Sequence, residues 1–134
     1  MNSRETIPAV TPPPLPVLKQ LGIEPSRLRK VQPLARRTRC LAIVDLLTRY
    51  RFPVGASPLE QVKGYLQALE LLCEMKEWER ALTLISMRMK TPTKEILHYQ
   101  LKLWGYGQER IALYKALVGR GSNRWNAKVL QFLD

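Results

Sequence analysis

The chain has 134 residues, of which 22 are Lys or Arg and 11 are Asp or Glu, so its formal net charge is +11 at neutral pH. Its hydrophobic share of 46% excludes disorder throughout, because disordered chains combine high net charge with low hydrophobicity. The length predicts a single domain with one modest core. With two Cys and one His, the chain has few residues for disulfides, metal sites or histidine-based catalysis.

We expect neither a signal peptide nor a membrane span in this chain. Residues 1–16 lack the apolar core of a signal peptide, and the longest apolar run is interrupted by Asp45 and is too short for a membrane span. Cys40 and Cys73 stand alone among apolar residues, which favours free, buried thiols in a reducing compartment; one disulfide between two helices is the alternative. We therefore expect a cytoplasmic location.

Composition and helix signals divide the chain into three parts. Residues 1–14 contain four prolines and no helical periodicity, so we expect a Pro-rich, extended or disordered tail. Residues 15–32 form a basic, partly ordered lead-in, in which one helical turn ends at Gly22, because glycine accepts the left-handed conformation of a helix C-terminus. Residues 33–134 carry helical periodicity and are predicted to form a single helical domain.

The first helix of this domain is predicted from about Pro33 to Arg51. Its predicted apolar face consists of aliphatic residues at helical spacing, Leu34, Leu41, Val44 and Leu47. A capping box of Ser57 and Glu60 opens the next helix, because the hydroxyl and the carboxylate satisfy backbone N–H groups that a first helical turn leaves unpaired. An apolar stripe predicts that this second helix continues to about Met75.

Four more helices are predicted to begin near Trp78, Pro92, Gly107 and Ser122. The helix that begins at Gly107 is expected to bury Ile111, Tyr114, Leu117 and Val118. About six helices with short loops between them favour antiparallel neighbours, because a loop of a few residues cannot cross a domain. The predicted fold class is therefore all-α, built from antiparallel helical hairpins as a bundle or a short solenoid.

Part of this helical region shows an internal repeat with an offset of about 31 residues, near the ~34 of a known helix-turn-helix repeat. The matching pairs are Leu66 with Leu97, Leu72 with Leu103, Ala81 with Ala112, and Leu82 with Leu113. Residues 57–119 thus resemble two degenerate tetratricopeptide-type hairpins, although neither copy has glycine at the close-packing position of its first helix. A non-repetitive bundle with the same helices is the alternative.

The tetratricopeptide resemblance implies an interaction protein, because such repeats bury their leucine faces and present a concave surface that takes a helix or an acidic peptide. In this chain the implied groove is lined by four aromatic residues, Tyr65, Tyr99, Trp104 and Tyr106.

Catalytic chemistry has no candidate constellation. His98 is the sole histidine and is interpreted as an exposed or half-buried structural residue. Glu70 and Glu74 alternate with basic residues on a polar face, so they are interpreted as solvated carboxylates rather than a general acid and base. No glycine motif is completed by the Lys-Ser/Thr pair of a phosphate loop. We expect no enzymatic activity, no metal and no cofactor.

The most informative functional feature is a segment with eight basic residues and one acid, Asp45. The basic residues are Arg27, Arg29, Lys30, Arg36, Arg37, Arg39, Arg49 and Arg51. Asp45 is expected to pair with Arg49 one turn further on. The segment predicts an anionic partner. An adaptor that binds an acidic protein is the first hypothesis, and a small nucleic-acid-binding regulator is the alternative. The oligomeric state is left open.

Overall fold

The computed structural model describes residues 5–6 and 10–117. Almost all regular structure in this part is helical, which confirms the predicted all-α class. The α-helices are α1 (Pro14–Leu21), α2 (Leu34–Thr48), α3 (Pro58–Gln61), α4 (Lys63–Glu74), α5 (Trp78–Ile85), α6 (Leu97–Leu103) and α7 (Gly107–Leu117), and a 3-10 helix spans Pro25–Lys30. The helix predicted from Ser122 lies outside the described residues.

The N-terminal segment contributes to the fold well before residue 33. Gly22 ends α1 with a φ of +73°, as predicted, and Val17, Leu18 and Leu21 of this helix are buried. Helix α1 packs against α2 and α5, and Leu28 of the 3-10 helix joins the same core. The apolar spacing in this segment spans barely two turns, so helical periodicity is only a weak signal for it.

Two backbone contacts join parts of the predicted tail to later segments of the chain. β1 (Glu5–Thr6) pairs antiparallel with β2 (Phe52–Pro53), and the Val10 carbonyl accepts a hydrogen bond from the backbone N–H of Lys90 at 2.6 Å. Prolines removed helical periodicity from this region but did not prevent extended pairing. Of the predicted extended or disordered tail, Glu5 and Thr6 are therefore extended and paired, and Val10 is hydrogen-bonded to the rest of the fold.

Helix α2 buries only part of the face predicted for it, since Val44 and Leu47 are half-buried against the core and the other two residues of that face are exposed. Leu34 is 64% exposed and Leu41 is 47% exposed, whereas Cys40 and Ile43 are buried. Apolar residues occur on nearly every side of this helix, so periodicity alone could not select the buried face. The choice is made by α1, α4 and the 3-10 helix, which pack on the Cys40 and Ile43 side.

Helices α3 and α4 occupy the predicted second helix. The Ser57 hydroxyl accepts a hydrogen bond from the Glu60 N–H at 3.2 Å, which confirms the Ser57 half of the predicted capping box. The helix is interrupted at Val62, which is buried, and it resumes as α4. Leu69 and Leu72 of the predicted stripe are buried.

The last two described helices differ from prediction in start and in face. Helix α6 begins at Leu97 rather than near Pro92, because the preceding residues form a hairpin-like loop in which the Met89 N–H donates to the Glu95 carbonyl at 2.8 Å. Leu117 of α7 is buried as predicted, but Ile111 is 54% exposed. Helix α7 has apolar residues on several sides, and Ile111 and Leu117 lie almost two turns apart. The apolar pattern therefore could not show which side of α7 is buried.

Candidate protein-interaction surface

Half of the eight predicted partner-binding cations pair with carboxylates of the chain. The pairs are Arg27 with Glu24 at 3.2 Å, Arg39 with Glu74 at 3.2 Å, Arg49 with Asp45 at 3.8 Å, and Arg36 with Glu77. The predicted pairing of Asp45 with Arg49 is confirmed. Two of these pairs join α2 to residues more than 30 positions away, at the end of α4 and in the turn after it.

Arg36 and Arg39 therefore have a structural role that the sequence did not reveal. Glu77 is only 24% exposed and is shared by Arg36 and by Arg80, whose Nη1 lies 3.7 Å from Oε1 of the carboxylate. Glu74 receives the Nε of Arg39. Glu77 and Glu74, the latter expected to be a solvated carboxylate, thus hold α2 against the turn between α4 and α5. This pairing leaves less positive charge for a partner than the sequence predicts.

The remaining predicted cations divide into two places. Arg29 and Lys30 are exposed at the end of the 3-10 helix, and Arg37 reaches back to the same point, where its Nε donates to the Val31 carbonyl at 3.2 Å. Arg51 lies beyond the other end of α2. Among the residues that the structure describes, none of these four has a carboxylate oxygen within 4 Å.

The exposed side of α2 also carries two leucines. Leu34 and Leu41 are seven residues apart, so they lie on one stripe of the helix, with Arg37 beside them. We call the patch formed by Arg29, Lys30, Leu34, Arg37 and Leu41 the α2 outward surface. Sequence reasoning found its cations but assigned its leucines to the core. Their seven-residue spacing is the signal that marks them as one stripe.

The four aromatic residues predicted to line a groove do not share one surface. Tyr65 is 3% exposed, and its hydroxyl donates to the Leu84 carbonyl at 2.7 Å inside the core. Burial raises the pKa of the Tyr65 hydroxyl well above its ordinary range. Tyr65 is therefore a packing residue and cannot contact a partner in this structure.

The other three aromatic residues lie on α6 and in the turn after it. Trp104 and Tyr106 are half-buried with their rings edge to face at 6.4 Å, and the Tyr106 hydroxyl accepts a hydrogen bond from the Leu59 N–H at 3.3 Å. Tyr99 is 38% exposed, with the Lys102 ammonium 5.4 Å from its ring centre. Tyr106 thus ties the turn to α3, and Tyr99 is the most exposed aromatic residue of the set.

His98 is fully buried rather than exposed or half-buried. Desolvation, with the positive charges of Arg110 and Lys102, lowers the pKa of His98 to about 4. The imidazole is therefore neutral at physiological pH. A general base for catalysis needs a pKa near the working pH and access to a substrate, and this histidine has neither.

No helix in residues 10–117 is long and apolar enough to cross a membrane. In the same part of the chain, no three Cys, His, Asp or Glu side chains come together as metal ligands would. Within the described residues Cys40 is buried and Cys73 is half-buried, and they do not form a disulfide. No protein-family model, curated protein or solved structure matches this chain.

Proposed function

We propose that this protein is a non-enzymatic interaction adaptor that binds an acidic, amphipathic segment of a partner protein on the α2 outward surface. The observation that carries the proposal is the exposure of Leu34 and Leu41 on α2 beside Arg37 of the same helix and beside Arg29 and Lys30 at the end of the preceding 3-10 helix. Exposed aliphatic side chains next to positive charge fit a partner that offers both apolar residues and carboxylates.

Charge complementarity supports an acidic partner. Arg29, Lys30 and Arg37 gather where α2 begins, and the N-terminus of the helix adds positive potential from its dipole. Asp45 occupies the stripe of Leu34 and Leu41 toward the other end of α2. The acidic residues of the partner should therefore concentrate at the end that lies over the start of α2.

The apolar contacts contribute most of the binding free energy of the partner segment, and the cations set its orientation. Burial of a leucine contributes about 1.5–3 kcal/mol, whereas an exposed ion pair contributes about 0–1 kcal/mol. Loss of Leu34 and Leu41 should therefore weaken the complex more than loss of Arg29 and Lys30, which should mainly slow association.

This surface favours a protein over a nucleic acid. A phosphate backbone has no group that matches exposed leucines, and Glu24, Glu74, Glu77 and Asp45 already neutralise half of the predicted cations. The tetratricopeptide resemblance of residues 57–119 and a cytoplasmic location belong to the same proposal. The buried thiol of Cys40 is in keeping with that location, because thiols persist in a reducing compartment.

The test compares three variants in one binding assay. The probe is a fluorescent peptide with glutamates at one end and leucines two helical turns apart, followed by anisotropy. We expect binding to the wild type, a loss of roughly tenfold or more in Leu34→Ser/Leu41→Ser, and a weaker, salt-dependent loss in Arg29→Gln/Lys30→Gln/Arg37→Gln. Arg49→Gln is the matched control, because Arg49 is an exposed cation outside the surface.

Capture from the native cell, with and without nuclease, extends the test to the natural partner. Proteins that are retained after nuclease and lost in the Leu34/Leu41 variant support the adaptor. Peptide binding that is equal in all variants contradicts the proposal, and capture that disappears with nuclease contradicts it and favours the nucleic-acid alternative.

A further inference from the structure

A second cation-lined feature lies on the opposite side of the 3-10 helix and α2 from the exposed leucines. It is a cavity of about 270 Å³ between α1, the 3-10 helix, α2 and α5, with three arginines in its wall, Arg27, Arg36 and Arg80. Leu28 and Cys40 give it an apolar floor, and Glu24 lies at its edge. We call this cavity the arginine pocket.

The guanidinium groups of this pocket have more N–H donors than the carboxylates that pair with them in the described part of the chain can accept. Arg36 and Arg80 share the single carboxylate of Glu77, and each guanidinium carries five N–H donors. The Arg27 side chain is 77% exposed and pairs with Glu24, which is 63% exposed and lies one turn away. Gly22 also lines the pocket and has no side chain to fill it. A Cβ at this position would lie 3.5 Å from Nη2 of Arg80.

The pocket adjoins the α2 outward surface at Val31. This residue lines the arginine pocket, and its carbonyl accepts the Nε of Arg37 from the outward surface. A partner segment that continues past the start of α2 therefore comes near Val31 and the wall of the pocket.

We propose that the arginine pocket binds a phosphorylated side chain of the partner, so that phosphorylation strengthens docking on the α2 outward surface. This inference rests on the proposed function for the identity of the ligand. A phosphate monoester carries about two negative charges and three acceptor oxygens, which match three planar guanidinium forks. A carboxylate of the partner has one charge and would compete poorly with Glu77, which already bridges Arg36 and Arg80.

The experiment uses the same peptide with serine or O-phosphoserine next to its acidic end, measured by anisotropy against the full chain. The phosphate should raise affinity for the wild type roughly tenfold or more. Arg27→Gln/Arg80→Gln should abolish that gain and leave binding of the unphosphorylated peptide unchanged. Arg80→Lys, which keeps the charge but loses the fork, should keep only a small part of the gain. Arg49→Gln should keep all of it.

Glu77→Gln gives a prediction in the opposite direction. Removal of the internal carboxylate releases donors of Arg36 and Arg80, so the phosphate gain should increase, whereas a merely structural arginine cluster would give no increase. Circular dichroism and denaturant titration identify any variant that fails to fold, and Arg80→Lys then carries the test alone. Equal binding of both peptides to the wild type, or a gain that survives in Arg27→Gln/Arg80→Gln, overturns the inference.

Titration with inorganic phosphate separates this inference from the proposed function. Phosphate-induced NMR shifts at Arg27, Arg36 and Arg80, lost in Arg27→Gln/Arg80→Gln, support the pocket even if neither peptide binds. If the unphosphorylated peptide binds and phosphate produces no such shifts and no gain in affinity, the adaptor stands and the arginine pocket does not.

Discussion

The ring of Tyr50 lies directly against Gly64 of α4. A Cβ built on Gly64 would be 2.6 Å from Cγ and 2.9 Å from Cβ of Tyr50, closer than real contacts of this kind. The Tyr50 hydroxyl is held in place because it donates to the Glu60 carbonyl at 2.7 Å. The segment after α2 therefore approaches α4 through a position that has no side chain.

Gly64→Ala should destabilise the fold. Replacement of glycine by alanine in a helix normally gains about 1 kcal/mol, but the clash with Tyr50 should cost about 1–3 kcal/mol and reverse the sign. Gly107→Ala is the control, because a Cβ there meets nothing within 4 Å. Urea titration measures both, and a more stable Gly64→Ala would show that Tyr50 moves away at no cost.

Lys76→Gly should stabilise the protein by about 0.5–1 kcal/mol. Lys76 has a φ of +59° in the turn that ends α4, where the Lys76 N–H donates to the Cys73 carbonyl and the Glu77 N–H to the Leu72 carbonyl. This hydrogen-bond pair favours glycine at the left-handed position. Lys76→Ala should not give the gain, because alanine keeps the Cβ. Equal stability of both variants in denaturant would refute the conformational explanation.

Stability should fall as the pH drops from about 6.5 to about 4 because of His98. The folded state holds the pKa of His98 at about 4, below the model-peptide value of 6.5. Between pH 6.5 and about 4, His98 binds a proton in the unfolded chain but not in the native chain. The free energy of unfolding therefore falls over this range, until the pH reaches the pKa of the native state. The contribution is about 3 kcal/mol. His98→Gln should reduce the fall in unfolding free energy by that amount, and parallel pH profiles for both proteins would exclude this role.

Leu69→Ala and Leu82→Ala should each cost about 2–5 kcal/mol, because both side chains are nearly fully buried between helices. Leu41→Ala, a change of the same size on the exposed side of α2, should stay within about 0.5 kcal/mol. Thermal and denaturant unfolding check the difference. Similar costs at Leu41 and Leu69 would mean that α2 buries the leucine face in solution.

The features that the sequence determined alone depend on near neighbours in the chain. The all-α class follows from helical spacing, Gly22 ends α1, Ser57 caps α3, and Asp45 pairs with Arg49. Each depends on groups within one helical turn, so local geometry is sufficient to predict it.

Only the tertiary structure decided what the surface presents. The burial of Cys40 instead of Leu41 reflects which helices pack on α2, and the capture of Arg36 by Glu77 joins residues 41 positions apart. Tyr65 does not line a groove as predicted, because its side chain is buried and its hydroxyl donates to the Leu84 carbonyl of the neighbouring helix. Contacts of this kind arise from packing between distant segments, which the periodicity of a single helix does not encode.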